Sequence, residues 1–341
     1  MAHGGWPAPS SWMARPDAAP ARLARSAVKP AYSKTAAQPP TRDGVSPSVM
    51  TLPIFPADQE PINLLSYLEL ATHIPAGQSW VFRLENGLVL NEAAQALAPD
   101  APYLAGQRIY YYRHMPAEPR IPFEARIIYQ DAHLLVADKP HFLPVAPTGR
   151  YVQETLLVRL KKQTGLNDLV PIHRIDRDTA GLVLLSIQPA SRNAYAELFR
   201  TRSVAKVYEA IAPYRPELSF PLVHQSRLVP AAASFMQMQE VPGSPNTETQ
   251  IELLQVQGAL ARYCLRPLTG KRHQLRVHML ALGVPICGDA IYPVLTPEPA
   301  LDALSYTQPL QLLAQSLSFT DPLSGQARQL HSLQDLKFPA F

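Results

Sequence analysis

The chain has 341 residues, enough for two domains or one large domain with extensions, and its 31 Lys+Arg against 27 Asp+Glu give a formal charge of +4. Residues 1–49 hold six basic side chains (Arg15, Arg22, Arg25, Lys29, Lys34, Arg42) and two acidic ones (Asp17, Asp43), leaving 25 of each sign beyond, so net charge carries no argument for nucleic-acid binding. No run reaches the ~18 consecutive apolar residues of a membrane helix, and Cys264 and Cys287 stand far apart near no His/Cys ligand pairing, which gives no support to a disulfide framework or a zinc site and fits a reducing, cytoplasmic compartment.

Residues 1–58 are rich in Ala, Pro, Ser and Arg without helical or strand periodicity. Such a segment cannot bury enough apolar surface to offset its ordering entropy, and it reads as disordered. Its Arg-rich, acid-poor composition also resembles a transit peptide. Met50 offers a further reading, a start just before the first ordered-looking sequence. On either account a protein starting at Met50 is expected to fold. Residues 59–118 form a small α/β module: "INLLSYLELATHI" is spaced as a helix, "FRLENGLVLN" has an Asn86-Gly87 turn before a strand, and "YLAGQRIYYYR" is an aromatic strand. The Pro-rich stretch "HMPAEPRIPFEA" reads as a linker to the third unit, residues 119–341.

That unit mixes α and β. "RIIYQDAHLLVADKP" reads as two strands about Asp131-Ala132, and "QETLLVRLKKQTG" as an amphipathic helix stopped by Gly165. "GLVLLSIQ" is a buried strand, "PASRNAYAELFRTR" a helix and "VAKVYEAIA" an alternating strand. Residues 213–245, rich in Pro, show no clear regular structure. "TETQIELLQV" and "ALARYCLRPL" are strands, "TGKRHQLRVHMLALG" enters a helix near Lys271, and "LQLLAQSLSF" adds one more strand.

Two clusters carry chemistry. In "PIHRIDRDTAGLVLLS", Asp176 stands between Arg174 and Arg177 directly before the buried strand. A neighbouring cation favours an ionised carboxylate, and the rim of a rigid sheet suits a nucleophile or base. A structural ion-pair loop fits the same residues, as does a hydrolase pairing His173 with Asp176. In "LTGKRHQLRVHMLALG", a helix beginning near Lys271 puts Arg272 and Arg276 on one face, as a phosphate-binding helix or a solvated basic face. His273 and His278 lack an i,i+4 ligand spacing. Taken singly, Tyr208 in "AKVYEAIA" reads as a core or edge residue.

In order and spacing, "LLVADKPHFLPV", "HRIDRDTAGLVLLS", "KVYEAIA" and "PLTGKRHQLRVHMLALGVPICGDAIY" closely resemble the RluA-type pseudouridine synthase family over about residues 124–325. The resemblance implies an α+β pseudouridine-synthase fold, a mixed and largely antiparallel sheet with flanking helices and a central active-site cleft. It implies uridine isomerisation in ribosomal or transfer RNA, without metal or organic cofactor, by a soluble monomer. It places the catalytic aspartate at Asp176, the active-site tyrosine at Tyr208 and the aspartate-pairing arginine at Arg276. Arg174 matches an arginine that holds the displaced nucleotide, and Arg177, Arg272, His273 and Gln274 are expected to bind substrate. Arg159, Lys161, Lys162, Arg200, Arg202 and Lys206 are candidate phosphate contacts. Module 59–118 resembles a degenerate S4-like RNA-binding domain whose basic helix keeps only Arg83. A catalytically silent RNA-binding or chaperone protein on the same fold would have lost Asp176, Tyr208 or Arg276; all three are present.

Overall fold

A computed structural model describes residues 39–55, 61, 63–71, 79–112, 118–232, 234–297, 299–300 and 303–339. Most of the segment expected to be disordered therefore lies outside the described residues, but residues 39–55 of it are folded. Strand β1 (Ser48–Thr51) pairs with β3 (Arg108–Tyr111), which pairs with β2 (Val89–Leu90), to give a small antiparallel sheet. Helices α1 (Leu64–Ala71) and α2 (Trp80–Glu85) close it over Leu52, Leu64, Leu68, Trp80, Leu84, Val89 and Ile109. The expectation of disorder is corrected here for residues 39–55. Four residues of strand between Pro-rich neighbours carry no pattern of their own, and their partner lies some 60 residues downstream.

The preceding residues are anchored as well. Val45 is buried with Val152 and Val158, the Lys161 ammonium donates to Ser46 Oγ at 2.9 Å, and the Tyr112 hydroxyl donates to Pro40 O. The described part of the presumed linker, residues 118–125, is likewise a strap on the third unit. Glu118 accepts the N–H groups of Val152, Gln153 and Glu154, and Arg159 donates to the carbonyls of Ile121 and Phe123.

Among the described residues the main sheet has eleven strands. They are β4 (Arg126–Gln130), β5 (Leu134–Lys139), β6 (Val170–Pro171), β7 (Ala180–Ser186), β8 (Ala205–Pro213), β9 (Leu222–Ala231), β10 (Ser234–Val241), β11 (Thr247–Gln257), β12 (Leu260–Pro267), β13 (Leu312–Thr320) and β14 (Ala327–His331). Their order is β10-β9-β11-β12-β8-β13-β7-β5-β4, with β6 on β7 and β14 on β13; the β13–β7 pair is parallel and the rest are antiparallel. The uninterrupted apolar run of β7 follows from burial on both faces. Val183 and Leu185 face the cluster of helix α3 (Leu156–Thr164), while Leu182 and Leu184 face Tyr195 of helix α4 (Arg192–Arg200). Helix α3 starts at Thr155, whose hydroxyl accepts from Val158 N, and stops at left-handed Gly165.

Residues 213–245 are not irregular. They contain the β9–β10 hairpin, in which Leu222, His224, Ser226 and Leu228 face inward and Val223, Gln225 and Arg227 outward. Half of those inward positions are polar, so the period-2 signal was weak. Helix α5 (Gln274–Ala281) starts three residues later than Lys271, behind a left-handed His273. Arg272 therefore precedes the helix, and the expected shared face with Arg276 does not exist.

Candidate active site

Asp176 lies in the loop from β6 to β7, where its carbonyl accepts from Thr179 N at 3.2 Å. What fixes the exit of that loop is Gly181, at φ +110°. A Cβ there would stand 2.3 Å from the Ala314 carbonyl oxygen of β13, so only glycine lets the two strands approach. Beneath the loop, the fully buried Lys139 ammonium donates to the carbonyls of Pro140 and Arg177, both at 2.9 Å. Burial holds its pKa down to about 7, against the raising influence of Asp178 and Asp176.

The partner of Asp176 comes from α5. Arg276 is 2 % exposed and spends two nitrogens on Asp289, Nε to Oδ2 at 2.8 Å and Nη2 to Oδ1 at 2.6 Å; its Nη1 reaches Asp176 Oδ2 at 3.1 Å. Asp289 Oδ1 also accepts the backbone N–H groups of Ile291 and Tyr292, and the Tyr292 ring lies 5.4 Å from the guanidinium carbon. Burial opposes the Arg276 charge, but the bonds and charges of Asp289 and Asp176 outweigh it and hold its pKa above the ordinary value. The two acids differ sharply. Asp289 is 1 % exposed and fully engaged, whereas Asp176 is 29 % exposed and takes one arginine bond. Asp176 is the acid that can meet a substrate.

Tyr208 on β8 packs between the clusters of α3 and α5. Burial, with the charge of Asp176, pushes its pKa up, so its phenol is a neutral donor at neutral pH. His273 completes the wall, its Nδ1 3.0 Å from the Tyr292 hydroxyl and its Nε2 3.8 Å from Asp176 Oδ2.

Several expectations change. Arg177 does not flank Asp176 as an ion partner: its Nε donates to Asp178 at 2.9 Å, and its guanidinium lies over Tyr151. Arg174 is exposed beside the loop. Arg272 sits at the rim and donates to Phe235 O. Gln274 is not placed to bind substrate. Its Oε1 accepts from Thr269 and Lys271, and its Nε2 donates to Glu248 and Thr249, so all its hydrogen-bonding capacity goes to joining α5 to β11. His173 stacks on Phe199 and accepts from Leu184 N, and burial lowers its pKa to about 3; it is a neutral packing residue and no acid–base partner. Among the candidate phosphate contacts, Arg159 is bound to Glu154 and Lys161 is buried. Lys206 donates to Thr269 O, Lys162 to Gln153 and Arg200 pairs with Glu197, while Arg202 is exposed. In the small module Arg83 is buried against Trp80.

Sequence reasoning missed Asp289 and Tyr292, which stand in "GDAIY", where the signal was a lone acid after a glycine. Lys139, which at a strand end before Pro140 reads from sequence as a turn device, is buried beneath the loop and bonded to it. Among the described residues, His224, Glu240 and His278 group their ligand atoms within 4.8 Å. The His278 nitrogens are, however, occupied by the hydroxyls of Ser226, Thr247 and Thr249, and His224 bonds Glu240 at 2.8 Å, so the group reads as a hydrogen-bonded wall.

The chain is similar to known proteins. A family model described as RNA pseudouridylate synthase matches residues 133–281. The chain is 34 % identical over 209 residues to the dual-specificity RNA pseudouridine synthase RluA of Salmonella typhi, covering 59 % of this chain and 89 % of that protein. It is 29 % identical over 233 residues to an uncharacterised RNA pseudouridine synthase of Synechocystis, covering 63 % and 74 %. The mitochondrial tRNA pseudouridine(32) synthase of Saccharomyces cerevisiae is 32 % identical over 185 residues, 53 % of this chain and 39 % of that longer protein. Among solved structures, human RNA pseudouridylate synthase domain containing 1 superposes with a TM-score of 0.51 at 21 % identity, over 64 % of this chain and 86 % of that one, a likeness of fold.

Proposed function

The chain belongs to the RluA-type RNA pseudouridine synthase family, and from that premise we propose that it isomerises a uridine of ribosomal or transfer RNA, with Asp176 starting the reaction and side chains alone carrying it. The breadth of substrate rests on relatives whose names specify transfer RNA in one case and dual specificity in the other. Residues 119–341 are the catalytic unit in this reading, and Val45 and Ser46 are among the described residues that pack against it.

The observation that supports the mechanism best is the division of labour at Arg276. Two of its bonds go to the buried Asp289, so its position is set before substrate arrives, and the third faces Asp176. Asp176 then attacks C1′ or removes the C2′ proton. Either route breaks the N1–C1′ bond, lets the uracil turn, and rejoins it through C5 with loss of the C5 proton to a nearby base. The reaction is an isomerisation, with no net gain or loss of atoms or electrons. Tyr208, a neutral phenol against the same carboxylate, stacks beside the base and donates a hydrogen bond to it.

The test is pseudouridine mapping of total RNA from strains with and without the gene, followed by turnover of the identified transcript in vitro. Asp176→Asn should lose several orders of magnitude in rate while keeping RNA affinity and melting temperature. A folded Asp176→Asn protein with substantial turnover would overturn the assignment. Uridine deuterated at C2′ separates the two routes, since only proton removal gives a large primary isotope effect.

A further inference from the structure

The two members of the catalytic pair come from different parts of the main sheet. Asp176 belongs to the part made of β4 to β7, while Arg276 sits on α5, which packs on β8, β11 and β12. Strand β13 joins the parts, and its parallel pairing with β7 is short: Leu313 stands opposite Ala180 and Ala314 opposite Gly181. Six residue pairs join β5 to β7 and eight join β11 to β12, so the seam of the sheet lies at β7–β13. The bond from Arg276 to Asp176 is made across that seam.

Residues 332–338, which follow β14, cross the seam behind the sheet. Tyr208, Ala210 and Ala212 face the clusters of α3 and α5, whereas Ile211 points the other way and is buried with Leu336. At one end Asp138 of β5, 2 % exposed, accepts from Ser332 Oγ, from Leu333 N at 2.8 Å and from Gln334 Nε2, which also donates to Lys139 O at 2.9 Å. In the middle Leu336 shares one buried cluster with Ala180 of β7, Leu313 of β13, Ile211 of β8 and Leu260 of β12. At the other end Arg262 of β12 donates to Asp335 Oδ1 at 2.7 Å and to Leu336 O at 2.6 Å. Strands β5 and β12 are four positions apart in the sheet order, roughly 19 Å between axes at the usual strand spacing. A segment that only covered apolar surface would need Leu336 and no polar clasp at either end.

The clasp at β5 is one residue away from the catalytic loop. Neighbouring residues of a strand point to opposite faces, so Asp138 meets the segment behind the sheet while Lys139 supports the loop in front, through the carbonyl of Arg177 beside Asp176. His141 Nδ1, two residues on, lies 2.8 Å from Asp178 O. Resting on the function proposed above, we propose that residues 332–338 are a belt that fixes the two parts of the sheet against each other, and that Ser332, Gln334 and Arg262 are positioning residues for the Asp176–Arg276 pair. Arg276 is held twice by Asp289 on its own side of the seam and reaches Asp176 by a single bond, so the spacing of that bond is set by whatever holds the parts together.

The experiment releases the belt of the full chain at one end and then the other, with Ser332→Ala plus Gln334→Ala at β5 and Arg262→Met at β12. Each should slow turnover under saturating RNA about ten- to a hundredfold, since a misplacement of about 1 Å commonly costs a hundredfold, and leave KM within about threefold, because all three residues lie behind the sheet. Combining the two ends should slow turnover no further than the worse end alone, because either cut frees the belt. Their losses in melting temperature should add, as they do for distant sites. Wild-type turnover from the folded variants, or rate losses that multiply, would overturn the proposal. The milder pair Gln334→Ala and Asp335→Ala gives the same comparison should the first pair fail to fold. Hydrogen exchange at Thr179 N, which donates to Asp176 O, needs no substrate. Arg262→Met should speed it from four strands away, and unchanged exchange would overturn the belt. Faster exchange in a protein that makes no pseudouridine would refute the proposed function and uphold the belt.

Discussion

Asp289→Asn tests whether Arg276 is positioned from behind. The substitution keeps the shape of the side chain, and its amide oxygen can still accept from Ile291 N and Tyr292 N. It removes a charge that is 1 % exposed and bonded twice to an arginine that is 2 % exposed. Breaking a buried pair typically costs about 3–5 kcal/mol, because one charge is left uncompensated. Asp176 remains as a counter-ion for Arg276, so the lower end, about 3 kcal/mol, is expected. For a domain of this size that lowers Tm by roughly 6–12 °C. Arg276 should then turn toward Asp176 and draw it off the substrate line. A displacement of about 1 Å commonly costs on the order of a hundredfold in rate. The assay is turnover under saturating RNA at a temperature where the variant is folded, beside a binding titration. Turnover should fall about a hundredfold with affinity unchanged. Wild-type turnover from the folded variant would show that Asp289 stabilises the fold without positioning the catalytic pair.

Arg276→Lys keeps the charge but cannot bond Asp289 twice and Asp176 once, so turnover should collapse while RNA binding persists; normal turnover would remove Arg276 from the mechanism. Lys139 titrates at about 7 in the folded protein, against the ordinary 10.5 of a solvated lysine in the unfolded chain. The unfolded chain therefore carries an extra proton between these values, so stability from this group rises with pH across that window and is lost as pH falls back to 7. Against Lys139→Met, the wild type should gain relative stability in denaturant titrations from about pH 6.5 to 9.5; a pH-independent difference would refute the shift. Gly181→Ala should destabilise severely, because the added Cβ meets the Ala314 backbone oxygen at 2.3 Å, and a near-native melting curve would show that the strands can part. A protein starting at Pro39 should melt like the full chain. One starting at Met50 loses half of β1 and buried Val45, about 1.5–3 kcal/mol for the valine alone, and equal melting of the two would show those contacts to be dispensable.

What was legible in the chain was what is local. The run from Gly181 to Leu185 announced a strand buried on both faces, and Asp176 before it announced a loop at the sheet rim. The pairing of Asp176 with Arg276, a hundred residues apart, came from the family resemblance and not from any local pattern. The local pattern pointed wrongly, to Arg174 and Arg177 as its charge partners. Adjacent residues on an extended loop project in different directions, and Arg177 turned to Asp178 and Tyr151 instead.

The same cause explains the other errors. β1 is short and finds its partner far along the chain, and β9 faces inward with His224 and Ser226, so neither has the alternation that marks a half-buried strand. Gln274 stood in a motif full of binding residues, yet two polar groups of β11 and two of the loop before α5 were waiting for it. Asp289 looked like an isolated turn acid because the residue it serves lies on a helix thirteen positions earlier, facing away along the sequence and toward it in space. A side chain's partners are set by which elements the sheet order brings together. Here that order places the loop before β7 opposite the N-terminus of α5, and the charge left over between them is the carboxylate of Asp176.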